Sequence, residues 1–179
     1  MPRIVPAILS LPQHLDALQR AAVIYRPTAC PHCGLAKLWG HGCYERKADR
    51  RPAPCGSLNP IPIPRFFCQG CLQTCSRLPE CIAPRRWYGW AVQQVVVLWL
   101  LAGGSVHQAA LQGGVDRHTV RRWWGWLKTR SERFSFWLRS RFPERGRAVD
   151  FSGFWQGCLA AMPLSQAMTW LDAAGVAVQ

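Results

Sequence analysis

From Trp87 to Ala102 the chain is free of proline and largely apolar, and the Gly103-Gly104 pair ends the helix that this run predicts. Ser105 can cap a short second helix reaching about Gln112. Gly113-Gly114 then make a turn, and Asp116 can cap a third helix continuing to about Arg139. Val120, Trp123, Trp124, Leu127, Phe134 and Leu138 recur at helical spacing there and predict its buried stripe. Upstream the pattern changes. Seven of the 14 prolines fall within residues 30–82, which argues against long helices. Short strands are expected at Lys37–Tyr44 and Ile61–Phe67, with a polar loop over Ala48–Pro60. Nearer the N-terminus, Ser10-Leu11-Pro12-Gln13 can start a helix with Leu15, Leu18 and Ala22 on one face. Val23-Ile24-Tyr25 reads as extended.

Composition narrows the class. A chain of 179 residues, 49% hydrophobic and 17% charged, can bury a core but is too short for a large multidomain enzyme. Lys and Arg number 22 against 9 acids, a net charge of +13, which points to an anionic partner. The charge is uneven. Residues 117–147 carry ten basic and two acidic side chains, while 148–179 carry no Lys or Arg and two acids, Asp150 and Asp172. The longest apolar run, Val95–Ala102, is far short of the roughly 18 residues a helical span needs, so no membrane partner is expected. With no secretory signal visible, the expected location is the reducing cytoplasm, associated with the nucleoid.

Eight of the nine cysteines lie within residues 30–82. Cys30-Pro31-His32-Cys33-Gly34 is one knuckle, and Cys68-Gln69-Gly70-Cys71 repeats its two-residue spacer. That spacer lets one tight turn aim two thiolates at one ion, and two such turns supply four tetrahedral ligands. Cys30, Cys33, Cys68 and Cys71 are therefore the expected ligands of a structural Zn2+ in a zinc ribbon. An iron–sulfur cluster is not excluded by the ligand set alone, whereas a redox disulfide usually needs a strand–helix context that Pro31 and the flanking turns do not suggest. Cys43, Cys55, Cys75 and Cys81 read as packing residues, with Cys75 also able to replace a ligand or join a second site. His32 and His41 read as surface residues or supports of the site, and Cys158 as core.

The stretch Ser105–Trp123 has the spacing of a helix-turn-helix. Ala110 is small where two helices cross, Gly114 can take a positive φ in the turn, and Val115 and Val120 face inward. This places Arg117, His118, Thr119, Arg121 and Arg122 at the start of a recognition helix, where they can meet bases or phosphates of duplex DNA. Arg130, Arg133 and Arg139 would add phosphate contacts, the first two being the expected DNA-binding residues. The ten tryptophans could stack on unpaired bases, but the helical spacing of Trp87, Trp90, Trp123 and Trp124 reads as core packing.

These residues carry a resemblance. Cys30–Cys33, His41-Gly42-Cys43-Tyr44, Arg65–Thr74 with Leu78-Pro79, and Gly114–Trp123 resemble the zinc-ribbon plus helix-turn-helix N-terminal region of bacterial insertion-sequence transposases and related short accessory proteins. The likeness covers about residues 30–128 and implies binding to transposon-end or operator DNA. Transposases of this type use a set of carboxylates to hold two metal ions. Here Arg147-Ala-Val-Asp150 could mimic the first such strand, but only Asp172 follows, so no enzyme is expected. Asp150 reads as a loop or strand-end acid.

The combined expectation is a mainly α fold with a small β zinc ribbon followed by a helix-turn-helix trihelical unit. Its divisions are a 1–29 arm, a 30–82 ribbon, an 83–141 DNA-binding domain and a 142–179 tail. The expected role is regulator or accessory factor of a mobile element, with a transposase or a second copy as a further partner. The alternatives are a truncated or degenerate transposase, a protein-interaction adaptor, or an RNA-binding zinc-ribbon protein.

Overall fold

A computed structural model describes residues 3–50, 58–84, 88–143 and 150–178. Its contacts divide the chain into two units, residues 1–89 with 177–179, and residues 90–176. Among the described residues there are six α-helices and two small sheets. No helix among them is long and apolar enough to cross a membrane. Cys55, Trp87 and residues 147–149, which entered the sequence reading, lie outside the described residues, as does most of the expected 48–60 loop.

The first unit opens with β1 (Ile4–Val5) and α1 (Leu11–Ala21), followed by one 3-10 turn at Ala22–Tyr25. Strands β2 (Leu38–Arg46), β3 (Ile61–Cys68) and β4 (Thr74–Cys75) then form an antiparallel sheet in that order. The expected strands are present, each slightly longer at its C-terminal end. A short β5 (Leu78–Pro79) pairs in parallel with β1, Ile4 opposite Leu78. Residues 4–5 are thereby hydrogen-bonded to residues 78–79.

As its sequence indicates, α1 starts at Ser10, whose hydroxyl accepts the Gln13 amide. Its buried residue, however, is His14, fully enclosed and not part of the expected Leu15–Leu18–Ala22 face. A carbonyl can only accept, so His14 Nε2–H donates to the Pro62 oxygen (2.8 Å). Nδ1 is then left to accept the Tyr25 hydroxyl at 2.5 Å. This chain of bonds explains why 22–25 coils instead of extending: the turn brings the Tyr25 ring edge-on to His14.

Burial holds the His14 pKa below its ordinary 6.5, against the Pro62 carbonyl, which works the other way. The unfolded state therefore binds the extra proton first. The contribution of neutral His14 to stability is whole above pH 6.5 and is lost as the pH falls below it toward the folded-state value. The urea midpoint of the wild-type protein is expected to fall more between pH 7.5 and 5.5 than that of His14→Gln. Parallel pH dependences would remove His14 from the account. Tyr25→Phe, which strands Nδ1 in the core, should cost about 1–3 kcal/mol at pH 7.5.

Two apolar clusters fill this unit. Val5, Ile8, Tyr25, Leu38 and Phe66 pack with Cys30, Cys68 and Cys75, whereas Ala48, Ile61, Ile63, Leu78 and Ile82 form the other.

The second unit is wholly helical among its described residues. It comprises α2 (Trp90–Leu101), α3 (Val106–Gly113), α4 (Arg117–Arg141), α5 (Phe151–Ala161) and α6 (Leu164–Ala173). Helix α2 touches each of the other four. Ser105 caps α3 in a full capping box with Gln108, and Asp116 caps α4. The expected stripe of α4 is buried at Val120, Trp123, Leu127, Phe134 and Leu138, with Trp124 half-buried.

The weakly charged 142–179 stretch supplies α5 and α6. Asp150 is not a strand-end acid: it caps α5, accepting the Gly153 amide at 3.0 Å. Residue 163 is proline, and α6 gains no cap from it. Its first amide, that of Leu164, donates to Gln94 of α2 at 2.7 Å. The tryptophans also divide. Trp90, Trp123 and Trp155 are buried, whereas Trp39, Trp99 and Trp137 are 58%, 37% and 40% exposed.

Candidate functional site

The two knuckles meet. The sulfurs of Cys30, Cys33, Cys68 and Cys71 all lie within 4.8 Å of one another, the one such group among the described residues. Cys30 and Cys71 are 3.6 Å apart and Cys33 and Cys68 3.5 Å. A tetrahedron with metal–sulfur bonds of 2.3 Å has edges of about 3.8 Å, so the four thiols fit a tetrahedral thiolate-binding ion. No disulfide forms among the described cysteines.

Backbone geometry explains the convergence. In the first knuckle the Gly34 amide donates to the Cys30 carbonyl, and the Cys30 amide to that of Leu35. In the second, Leu72 donates to Cys68, and Cys68 to Gln73, in the same pattern. Sulfur acceptance repeats as well. Cys30 takes the His32 amide, Cys33 that of Leu35, Cys68 those of Cys71 and Gly70, and Cys71 that of Gln73. These dipoles favour thiolate, and through the Cys71 amide above all they draw the Cys68 thiol down to about 7. At Cys33 the Leu35 amide pulls the same way but is outweighed by burial and by the sulfurs of Cys68 and Cys30. Cys71, with the Gln73 amide similarly overcome, is pushed up to about 12. Four adjacent thiols cannot all ionise by themselves, and a divalent cation is the group that would let them.

The equivalence of the knuckles exposes one mismatch. Gly34 has φ +78°, and its counterpart Leu72 has φ +57° while being 71% exposed. A left-handed conformation costs an L residue roughly 1–2 kcal/mol. Leu72→Gly should therefore raise the stability of the metal-loaded protein by about 0.5–1 kcal/mol, after glycine's own entropic cost. Gly34→Ala should lower it by about 1 kcal/mol. Denaturant titration of both variants checks the pair, and a destabilised Leu72→Gly would refute the matched-knuckle account.

The other described cysteines stay outside the cluster. Cys75 and Cys158 are buried as packing residues and Cys81 is half-buried, but Cys43 is exposed and does not pack. His32 and His41 are both exposed. The His41 ring lies against Phe67, 5.8 Å between centroids.

In the second unit, α3 ends on Gly114 at φ +60° and ψ +38°, and Asp116 begins α4. Gly113 packs so closely that a Cβ there would come within 2.5 Å of the Val96 side chain. Arg117, His118, Arg121, Arg122 and Arg133 are exposed, and Arg130 is half-buried. Thr119 differs from this group. It is buried, and its hydroxyl donates to Asp116 at 2.7 Å while its amide donates to the other carboxylate oxygen. The Thr119 hydroxyl and amide hold the Asp116 carboxyl below its usual range. Thr119 thus belongs to the cap, not to the exposed set. Along α4 there are eight basic residues and a single acid, Glu132.

Sequence reasoning found the four thiols and the basic helix start because both follow from local spacing. It missed the sheet surface made by exposed Trp39 and His41 beside half-buried Phe67, where strand alternation around Leu38 was the available signal.

Residues 30–123 match a family model described as Domain of unknown function (DUF6431). No curated protein matches the chain, and no solved structure does.

Proposed function

We propose that this chain, which belongs to the DUF6431 family, is a zinc-dependent duplex-DNA-binding protein with no chemistry of its own. One observation carries the reading. Directly after the left-handed turn at Gly114, the first turns of α4 present Arg117, His118, Arg121 and Arg122 to solvent, with no acid in the first turn. Helices α3 and α4 are then the two arms of a helix-turn-helix, and α4 enters the major groove N-terminus first. Arginine can meet guanine bidentately there, and Arg130 and Arg133, two to three turns further on, are suited to phosphates. The four cysteines take zinc in preference to iron because tetrahedral all-thiolate sites closed by paired knuckles are its common structural form. A filled four-sulfur shell keeps no open position for a reacting group, which supports a structural metal. The likeness to transposase N-terminal regions supports a role as regulator or accessory factor at a mobile element.

The test is duplex binding by purified, zinc-loaded protein across a salt series. Arg130 and Arg133 on phosphates predict a slope of log K against log salt of about −2. Absence of binding at low salt, or binding indifferent to salt, would overturn the reading. A second reading, a protein adaptor, draws on apolar side chains left exposed: Val95, Leu98 and Trp99 on α2, and Phe136 and Trp137 on α4. Stable capture of a protein partner without DNA binding would favour it.

A further inference from the structure

We infer that the outward face of the β2–β3–β4 sheet is a second DNA site, one that stacks the bases of an unpaired strand. The inner face of this sheet is spent on the core: Leu38, Phe66, Cys68 and Cys75 are all buried. The outer face is not. Trp39 lies opposite Phe67 across the β2–β3 pair, and Phe67 lies opposite Thr74 of β4, so these side chains share one face. Trp39 is 58% exposed, and Thr74 is exposed beside it. Between Gly40 and Cys43 the register shifts by an extra residue, with Gly42 at φ +67°. The irregularity brings the His41 ring to within 5.8 Å of the Phe67 ring at 35° between planes. The outcome is a shelf of three rings, none of which the core requires in the open.

Charge selects the occupant. No Asp or Glu occurs from Ala17 to Tyr44 or from Arg50 to Pro79, the two stretches that supply the knuckles and most of the sheet. Lys37 is exposed directly before β2, and Arg65 stands on β3 with its guanidinium over the Tyr44 ring at 5.5 Å. Aromatic faces beside cations, with the one acid of the three strands, Glu45, near the other end of β2, suit a planar, anionic polymer. Bases held in a duplex hide their faces in the stack, whereas those of a single strand offer them. The choice of DNA over RNA rests on the function proposed above, in which the same chain holds duplex DNA.

The experiment measures anisotropy of a fluorescein-labelled oligo(dT) of about twelve nucleotides, a blunt duplex and an oligo(rU), each with the full zinc-loaded chain. Trp39→Ala is expected to weaken oligo(dT) binding by about fivefold to a hundredfold, with Trp39→Tyr restoring most of it. Retained zinc and an unchanged duplex affinity show that the fold survives. Arg121→Ala with Arg122→Ala should do the reverse, losing duplex and keeping oligo(dT). Oligo(dT) binding indifferent to Trp39, no oligo(dT) binding, or tighter binding of oligo(rU) would each overturn the inference. Trp39-dependent oligo(dT) binding with no duplex binding would uphold this site and reject the helix-turn-helix reading. Duplex binding with an inert Trp39 would do the opposite.

Discussion

Stripping the proposed zinc with a strong chelator should unfold the first unit outright, seen as loss of the sheet signal and of tyrosine protection. A structural zinc contributes on the order of 10 kcal/mol of apparent binding free energy, comparable to the entire stability of a typical domain. The sulfurs cannot be replaced by packing. Cys30 and Cys68 are buried in the cluster that holds Tyr25, Leu38 and Phe66, so removing the ion leaves crowded thiols inside the core. Cys68→Ser should reproduce the effect, whereas Cys43→Ser, at an exposed position apart from the four sulfurs, should be silent. Circular dichroism with metal analysis before and after chelation checks both. A first unit that stays folded and metal-free would sink the structural-metal reading.

The second large effect concerns DNA. Arg121→Ala with Arg122→Ala should lower duplex affinity at least about thirtyfold, since each good arginine contact is worth roughly 1–3 kcal/mol. Both side chains are exposed and neither belongs to the buried stripe of Val120, Trp123 and Leu127. The melting curve should therefore stay in place while binding is lost. Arg20→Ala removes one positive charge too, but from a surface pair with Asp16, and should change affinity little. Equal losses from the two variants would mean that net charge, not the start of α4, does the binding.

Features governed by neighbours in sequence could be read from the residues. The knuckles, the caps at Ser10, Ser105 and Asp116, and the stripe on α4 all depend on spacings of a few positions. Features decided over long separations could not. A two-residue β1 has no periodicity, and only its pairing with β5 makes it a strand. Val23 and Ile24 favour an extended chain by their β-branching, but His14 and Tyr25 close a turn across them. Helix α6 has proline at its cap position and so no local cap, and Gln94, far back in the chain, supplies the acceptor. By contrast α5 was legible: Phe154, Trp155, Cys158 and Leu159 follow a helical period, and Asp150 stands at its cap. Absence of charge disguised it as a tail. At the site, the spacing named Thr119 as a contact residue, and only the Asp116 hydrogen bonds reveal its other task.

An ion held by these four sulfurs would draw its ligands from both sides of a long connection and so act as a clasp between two peptides. Cys30 and Cys33 precede β2, and Cys68 and Cys71 end β3 or follow it. If a protease site is engineered into the connection between those strands and cut, the chain becomes two molecules that share a metal and a sheet. They should travel together through a native column as one particle, part on a denaturing gel, and separate under native conditions once the metal is chelated. The covalent continuity of this unit is then, for its shape, a convenience that the metal can replace.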